Sequence, residues 1–397
     1  MKWIYLSLAL LWSASAPAQA DKAFAKAMRQ LKSFARKDSV RIQGSVNQWW
    51  DARKKAGQVP LLSHDSAVFL YRGTAVSVAW AGDFNGWGSK PSPSKGYRIK
   101  NTDIWMTAFR FPSTARFDYK IILNGKDWIL DPVNPHQQYS GVGGGSPNSE
   151  VRMPGWKKDD CVLERQGIAR GTLNASRIRS TKLGYEVAYS VYTPAGNTDP
   201  ARLPILYVTD GNEYADPRLG SMITVLDNLI ADRRIRPLRV VFLDARDPDN
   251  PANNRRMTEL SLNENYLNFL TEELMPLTEG TRPVARSERG IMGTSLGGLM
   301  SAYVALKRPD LFGLAGIQSP AFWYKPEIFT LAEQSGELKI RVFLSAGTYF
   351  DAATESRKMK DILETRGHTC RYQETEEAHS WGNWKNLLDD LLTTLYK

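Results

Sequence analysis

The segment Gly293-Thr294-Ser295-Leu296-Gly297-Gly298 sets a hydroxyl in a Gly-x-Ser-x-Gly frame. An apolar strand candidate, Gly290-Ile291-Met292, precedes it, and an amphipathic stretch over 299–306 comes after it. Strand, sharp turn and helix in that order expose a serine as a nucleophile. The glycines leave room in a tight turn, and the head of the helix favours developing negative charge. A serine hydroxyl is a weak nucleophile until a base takes its proton. The chain has four histidines. His64 and His136 lie in the N-terminal part, and His368 falls in a loop between a helix and a strand. His379 comes after the last strand candidate, Arg371 to Thr375, and precedes a C-terminal helix, which is where the order Ser…Asp…His puts the base. Asp351 lies just past the strand candidate Arg341 to Leu344 and is the expected acid; Glu355, reading as part of the next helix, competes with it. The expected oxyanion donors are the N–H of Leu296 and that of Gly211 or Asn212, in the loop after Ile205 to Thr209. This constellation performs acyl transfer, and it calls for no metal and no organic cofactor.

The elements that must hold these residues are legible from about Val162 onward. Ile205 to Val208, Val240 to Leu243, Gly290 to Met292 and Arg341 to Leu344 are short buried-strand candidates. Helical stretches lie between them near 221–231, 264–277, 296–307 and 354–366. That alternation predicts a mainly parallel sheet with helices on both faces, the α/β-hydrolase arrangement, over 157–397.

The first 156 residues have a different texture. Lys2, the apolar run Trp3 to Trp12 and Ala18-Gln19-Ala20 predict a signal peptide over 1–20, hence a periplasmic or secreted protein. Phe24, Met28, Leu31 and Phe34 recur at helical spacing, and 39–56 reads as a second helix; together 21–60 form a basic helical arm. Val68 to Tyr71, Val76 to Trp80, Trp105 to Phe109 and Phe117 to Ile122 are strand candidates separated by Asn85-Gly86 and Asn124-Gly125 turns. They predict an immunoglobulin-like β-sandwich over 61–156, closed by a loop that includes the run Gly141 to Gly145. The overall fold class is therefore α/β with an N-terminal β-sandwich.

The formal net charge is +10, and its distribution is uneven. Residues 21–156 carry 20 Lys and Arg against 10 Asp and Glu, whereas 157–397 carry 31 against 32. The basic excess reads as a solvated face or as a surface for anionic envelope polymers or lipid headgroups. No segment resembles a nucleic-acid module, and no later stretch reads as transmembrane. Cys161 and Cys370 are either a pair or two separate buried thiols, and neither sits in a catalytic motif.

From about residue 160 to 397 the chain resembles the enterochelin-esterase-like branch of the putative-esterase family, relatives of feruloyl esterases and esterase D. The carrying segments are Thr209-Asp210-Gly211, Arg256-Met257-Thr258-Glu259-Leu260, Glu273-Leu274-Met275-Pro276, Gly293 to Gly298, Gly347 to Asp351 and Ala378 to Trp384. The resemblance implies the triad Ser295, Asp351 and His379, and places Arg256 and Glu259 near the substrate cleft, unless they form a structural ion pair. Trp323, Tyr349 and Trp381 are aromatic candidates for packing against substrate rings, with cleft-wall core as the plainer role. Ala378 stands where the group often has glycine.

Residues 66–156 resemble the glycogen-binding, family 48 type of carbohydrate-binding sandwich. The carrying residues are Ala81-Gly82-Asp83-Phe84-Asn85-Gly86-Trp87, then Tyr119-Lys120, Trp128 and Asn148-Ser149. The resemblance puts Trp87, Lys120, Trp128 and Asn148 at the positions of a sugar site. The expected function is a serine ester hydrolase acting on a catecholate siderophore ester. The alternatives are a carbohydrate esterase for feruloyl or acetyl esters, guided by the sandwich, and an inactive glycan-binding protein on a hydrolase scaffold.

Overall fold

The computed structural model describes residues 21–36, 39–88, 92–141, 146–196, 199–280 and 283–397. The expected leader over 1–20 and most of the Gly141 to Gly145 run lie outside the described residues. Two compact units divide the chain. One runs to Lys157 and also takes in Glu376–Ala378; the other comprises Lys158–Thr375 and His379–Lys397.

In the N-terminal unit, residues 21–34 are helical and a second helix spans Ser39–Lys55. Their apolar faces are buried, with Ala27, Leu31, Phe34, Ile42, Val46, Trp49 and Trp50 joining one cluster with Val68, Leu70 and Met106 of the strands. The helical segment therefore shares a core with the sheets and is no free arm. One antiparallel sheet has the order β1 (Leu61–Leu62), β2 (Ser66–Arg72), β6 (Ile104–Arg110), β5 (Tyr97–Arg98). The other has the order β4 (Ser94–Lys95), β3 (Val78–Gly82), β7 (Arg116–Leu123), β10 (Pro147–Arg152), β9 (Gln137–Tyr139), with β8 (Asp127–Ile129) paired to β7. Rings from both sheets meet in one aromatic cluster: Phe69 of β2 lies 4.8 Å from Tyr119 of β7, edge to face.

Beside that core lies a buried charged group. Arg116, with no exposed surface, pairs with Asp118 and with Glu150 at 3.1 Å, and its Nη1 is 3.9 Å from Glu377. Glu377 accepts from the Trp156 indole at 2.9 Å. One cation facing several carboxylates cannot offset the burial of all of them. Burial pushes Asp118 and Glu377 up to about 7, with Arg116 only partly opposing it, while Glu150 is brought down to about 2 because its Arg116 and Arg152 bonds outweigh its burial.

The C-terminal unit is built on one eight-stranded sheet. Its order is β11 (Thr172–Arg179), β12 (Glu186–Thr193), β14 (Arg239–Asp244), β13 (Ile205–Val208), β15 (Arg289–Thr294), β16 (Leu314–Gln318), β17 (Arg341–Gly347), β18 (Thr369–Thr375). From β14 to β18 all neighbours are parallel; β12 is antiparallel to both β11 and β14. The central strands β13 and β15 are buried along their whole length, as strands covered on both faces must be. The helix Leu296–Lys307 is buried at every residue except Lys307, so it is apolar all round rather than striped. The outer strand β11 is exposed at seven of its eight residues and carries Arg177 and Arg179, charges that discourage edge pairing. Among the described residues no helix is long and apolar enough to cross a membrane.

Candidate active site

Four parallel strands deliver the candidate residues to one end of the sheet. Ser295 comes directly after β15 and is held at φ 59°, ψ −119°, a conformation non-glycine residues rarely adopt. The close approach around it explains the glycines. A Cβ on Gly293 would meet the Gly297 carbonyl carbon at 2.6 Å, and one on Gly297 would meet Asp210 Oδ2 at 2.8 Å. The Ser295 N–H donates to Gln318 O at 3.0 Å, and its carbonyl accepts from Ala321 N at 2.9 Å. The turn after β16 thus clasps the elbow from one side.

The same turn reaches the candidate acid. Asp351 lies four residues past β17, with a side chain closed to solvent. Its Oδ1 is 2.7 Å from His379 Nδ1; its Oδ2 accepts from Ser319 Oγ at 2.6 Å and from Gly347 N at 2.7 Å. Burial by itself would raise the Asp351 pKa, but the His379 bond and charge, then Ser319 and the Gly347 N–H, outweigh it and hold the carboxyl below its ordinary value. An ionised carboxylate only accepts, so His379 Nδ1 donates to Asp351. His379 is over a third exposed, and the Trp384 ring packs against it edge-on at 4.8 Å. Glu355 sits in the first turn of the helix Ala353–Thr365, whereas His368 is buried and bonded to Ser335 at 2.8 Å and Ile340 N at 3.2 Å.

Leu296 opens the helix after Ser295 and Gly211 opens the short helix Gly211–Ala215, so neither N–H has a partner inside its own helix. A Cβ on Gly211 would meet Phe242 and Leu243 backbone atoms at 2.5 Å, so the loop presses against β14. Asp210, just before it, is left-handed at φ 54° and takes a two-pronged bond from Arg256, at 2.7 and 2.8 Å. Arg256 also donates to Thr294 O at 3.2 Å. The guanidinium therefore ties the Gly211 loop to the elbow through Nε and Nη2.

The other expected contact residues divide by exposure. Trp323 is 66% exposed and Tyr349 half-buried. Trp381 is buried, donating to Glu213 at 2.8 Å and packed on Tyr214 and Trp384. Glu259 is 1% exposed and accepts from Tyr185 at 2.8 Å; burial pushes it up to about 7. Trp381 and Glu259 are thus both buried and bonded within the protein. Sequence reasoning passed over Ser319, Glu213 and the exposed ring of Phe350, which sits at φ 48° beside Asp351. A cavity of about 400 Å³ adjoins the Gly211–Asn212 loop, with Ala175, Arg177, Ser190, Phe242 and Arg246 among the residues that line it.

In the N-terminal unit, Trp128 is 46% exposed and pairs opposite Ile122 on β7, which puts it on the same sheet face as Lys120. Trp87 spends its indole N–H on Asp83 at 2.9 Å, and Asn148 is buried and bonded to Asp118. Of the expected sugar residues Trp128 is exposed, Lys120 and Trp87 are half-buried and Asn148 is buried. Cys161 and Cys370 are separate thiols, each pushed up to about 12 by burial.

A doubly covered, mainly parallel sheet with a strained serine elbow and an Asp–His pair at its strand ends defines an α/β-hydrolase-type carboxylic ester hydrolase. Residues 180–395 match the putative esterase family, and the chain belongs to it. It is 22% identical to an iron(III) enterobactin esterase of Dickeya dadantii, over 88% of this chain and 92% of that one. It is 25% identical to an endo-1,4-beta-xylanase/feruloyl esterase of Xylanibacter ruminicola, over 63% of this chain and 34% of that one. Its fold is similar to the crystal structure of a ferric enterobactin esterase from Salmonella typhimurium, with TM-score 0.71 at 20% identity over 83% of this chain and 93% of that one.

Proposed function

We propose that the protein is a serine esterase that works through an acyl-enzyme, with Ser295 as nucleophile, His379 as base and Asp351 as acid. The observation that carries this is the Asp351–His379 bond of 2.7 Å, on the loops after strands of the same sheet whose β15 leads into a serine held in a strained elbow. Ser295 Oγ attacks the ester carbonyl as His379 Nε2 takes its proton. The oxyanion rests on the N–H groups of Leu296 and of Gly211 or Asn212. His379 then gives the proton to the leaving alkoxide, releasing the alcohol and leaving an acyl-Ser295 ester. Water, deprotonated by the same imidazole, attacks that ester; the Oγ–acyl bond breaks, the imidazolium returns its proton to Ser295 Oγ, and the carboxylic acid is freed.

For the substrate we propose a catecholate siderophore ester. Exposed rings at the ends of β16 and β17, Trp323 and Phe350, offer flat apolar surface to an aromatic acyl group. The Dickeya relative, named as an iron(III) enterobactin esterase, aligns along most of both chains, whereas the feruloyl relative shares only a third of its own length. Lys2, the apolar run Trp3 to Trp12 and the small-residue site Ala18-Gln19-Ala20 support action in the periplasm or outside the cell. The exposed Trp128 beside Lys120 favours a second reading, in which the N-terminal sheets are an immunoglobulin-like carbohydrate-binding module and the ester is on a glycan.

The test is a panel of ferric enterobactin-type trilactone, methyl ferulate and acetylated xylan, with fluorophosphonate labelling. Wild type should label and prefer the trilactone, and Ser295→Ala should do neither. A higher kcat/KM on the sugar esters would promote the second reading. Undiminished hydrolysis by Ser295→Ala would remove the nucleophile assignment.

A further inference from the structure

We propose that Ser319 is a positioning residue for the triad acid, and that Trp384 is the donor that commits it to that role. The proposal rests on the triad reading above and adds a layer behind it. Ser319 comes just after β16 at φ 41°, left-handed for a non-glycine residue, and is fully buried. Its N–H is bonded to Ser345 O of β17 at 2.7 Å, which helps hold that costly conformation in place.

A lone hydroxyl can point its proton several ways; this one cannot. The Trp384 Nε1–H lies 2.9 Å from Ser319 Oγ, and an indole N–H only donates. Asp351 Oδ2 lies 2.6 Å away on the other side, and an ionised carboxylate only accepts. The Ser319 proton therefore goes to Asp351, and the chain of bonds runs one way: indole to hydroxyl to carboxylate, with His379 on the far oxygen. Trp384 is itself fixed, its carbonyl accepting from Gln318 Nε2 at 2.9 Å and its ring edge-on to His379. One side chain thus orients both the imidazole and, through Ser319, the acid that faces it.

Removing the hydroxyl has two effects. Asp351 loses a donor and a rotational restraint, and its carboxyl becomes harder to ionise. Catalysis needs that carboxylate ionised, so the acid side of the pH–rate profile moves to higher pH. Substrate binding is untouched, because Ser319 is buried.

The experiment compares wild type with Ser319→Ala, Trp384→Phe and the double variant. kcat and KM are measured on p-nitrophenyl acetate from pH 5 to 9, and the His379 Nδ1–H proton is tracked by NMR. Trp384→Phe keeps a ring against His379 while deleting the donor. Ser319→Ala should lower kcat roughly tenfold or more at neutral pH, the loss of a charge-assisted bond, with KM little changed. Its acid limb should move up and its Nδ1–H signal shift or broaden. Trp384→Phe should move both readouts in the same direction by less, and the double variant should fall no further than Ser319→Ala. Wild-type kcat and acid limb in folded Ser319→Ala, or fully additive losses in the double variant, would overturn the proposal. Failure of the triad reading shows separately, as activity retained by Ser295→Ala.

Discussion

Replacing Arg256 by alanine should slow the hydrolysis of every ester by a similar factor, whatever the charge of the substrate. The sequence alone left Arg256 with two roles, an anion contact or a structural pair. In the fold its Nε and Nη2 sit 2.7 and 2.8 Å from the two oxygens of Asp210, and Nη2 also reaches Thr294 O. Asp210 is 7% exposed at its side chain and Arg256 26%. Removing one partner of a buried pair costs about 3–5 kcal/mol, because the other charge is left unpaired. With a quarter of the guanidinium open to water, screening reduces that to roughly 2–3 kcal/mol of stability. The catalytic cost comes through geometry. Asp210 immediately precedes Gly211 and Thr294 immediately precedes Ser295, so the arginine holds the proposed oxyanion donor and the proposed nucleophile in register. Deleting one oxyanion donor costs about 10²–10³ in kcat, so displacing one should cost about 10–100-fold.

The assay is kcat and KM on neutral p-nitrophenyl acetate and on an anionic catecholate ester, with thermal melts in parallel. The expected result is an equal fall in kcat on both and a lower Tm. Arg256→Lys should lie between, since an ammonium cannot grip both carboxylate oxygens from one plane. A loss confined to the anionic ester, at wild-type Tm, would refute the reasoning and return Arg256 to the cleft.

Asp351→Asn should lower kcat by orders of magnitude on p-nitrophenyl acetate, while Glu355→Gln leaves it unchanged; the reverse ranking would move the acid into the helix. Ala175→Trp fills part of the cavity beside Gly211 and should lower kcat/KM on bulky aromatic esters but not on p-nitrophenyl acetate; equal rates on both would detach that cavity from the substrate. Glu377 has a folded pKa raised from 4.5 to about 7 by burial, so the native protein holds a proton that the unfolded chain gives up, and stability falls as pH rises between those values. Glu377→Gln should therefore raise Tm at pH 8 and make little difference at pH 5; unchanged melts at pH 8 would mean that the carboxyl ionises without cost.

The parts of the fold that could be read in advance are those where a local pattern decides the outcome. The runs Ile205 to Val208 and Gly290 to Met292 have one stable use, as strands covered on both faces. The elbow was legible because close backbone approach restricts it to glycine at 293 and 297, and that restriction is written in the sequence. Pairings set by distance along the chain were not. Asp210 and Arg256 are 46 residues apart, and no local feature says that one arginine among many turns toward that aspartate. Exposure was equally hidden: Trp323 and Trp381 are the same residue type in similar company, yet one is at the surface and the other buried.

Strand β16 shows how one such gap spreads to the chemistry. Leu314-Ala315-Gly316-Ile317-Gln318 is short, carries two small residues and shows no strand-forming run, so propensity gives it little weight. Its glycine is explained only by packing: a Cβ on Gly316 would meet Met292 Cβ at 2.9 Å and Leu391 at 3.0 Å, so strand and helix close over it. Without that strand, Ser319 is one more serine before a proline. With it, Ser319 falls at the end of the strand between those that carry Ser295 and Asp351, so its side chain bonds Asp351 while its backbone neighbours clasp Ser295. The role of Ser319 is thus a property of sheet order, and sheet order is the level at which single-sequence patterns stop and long-range packing begins.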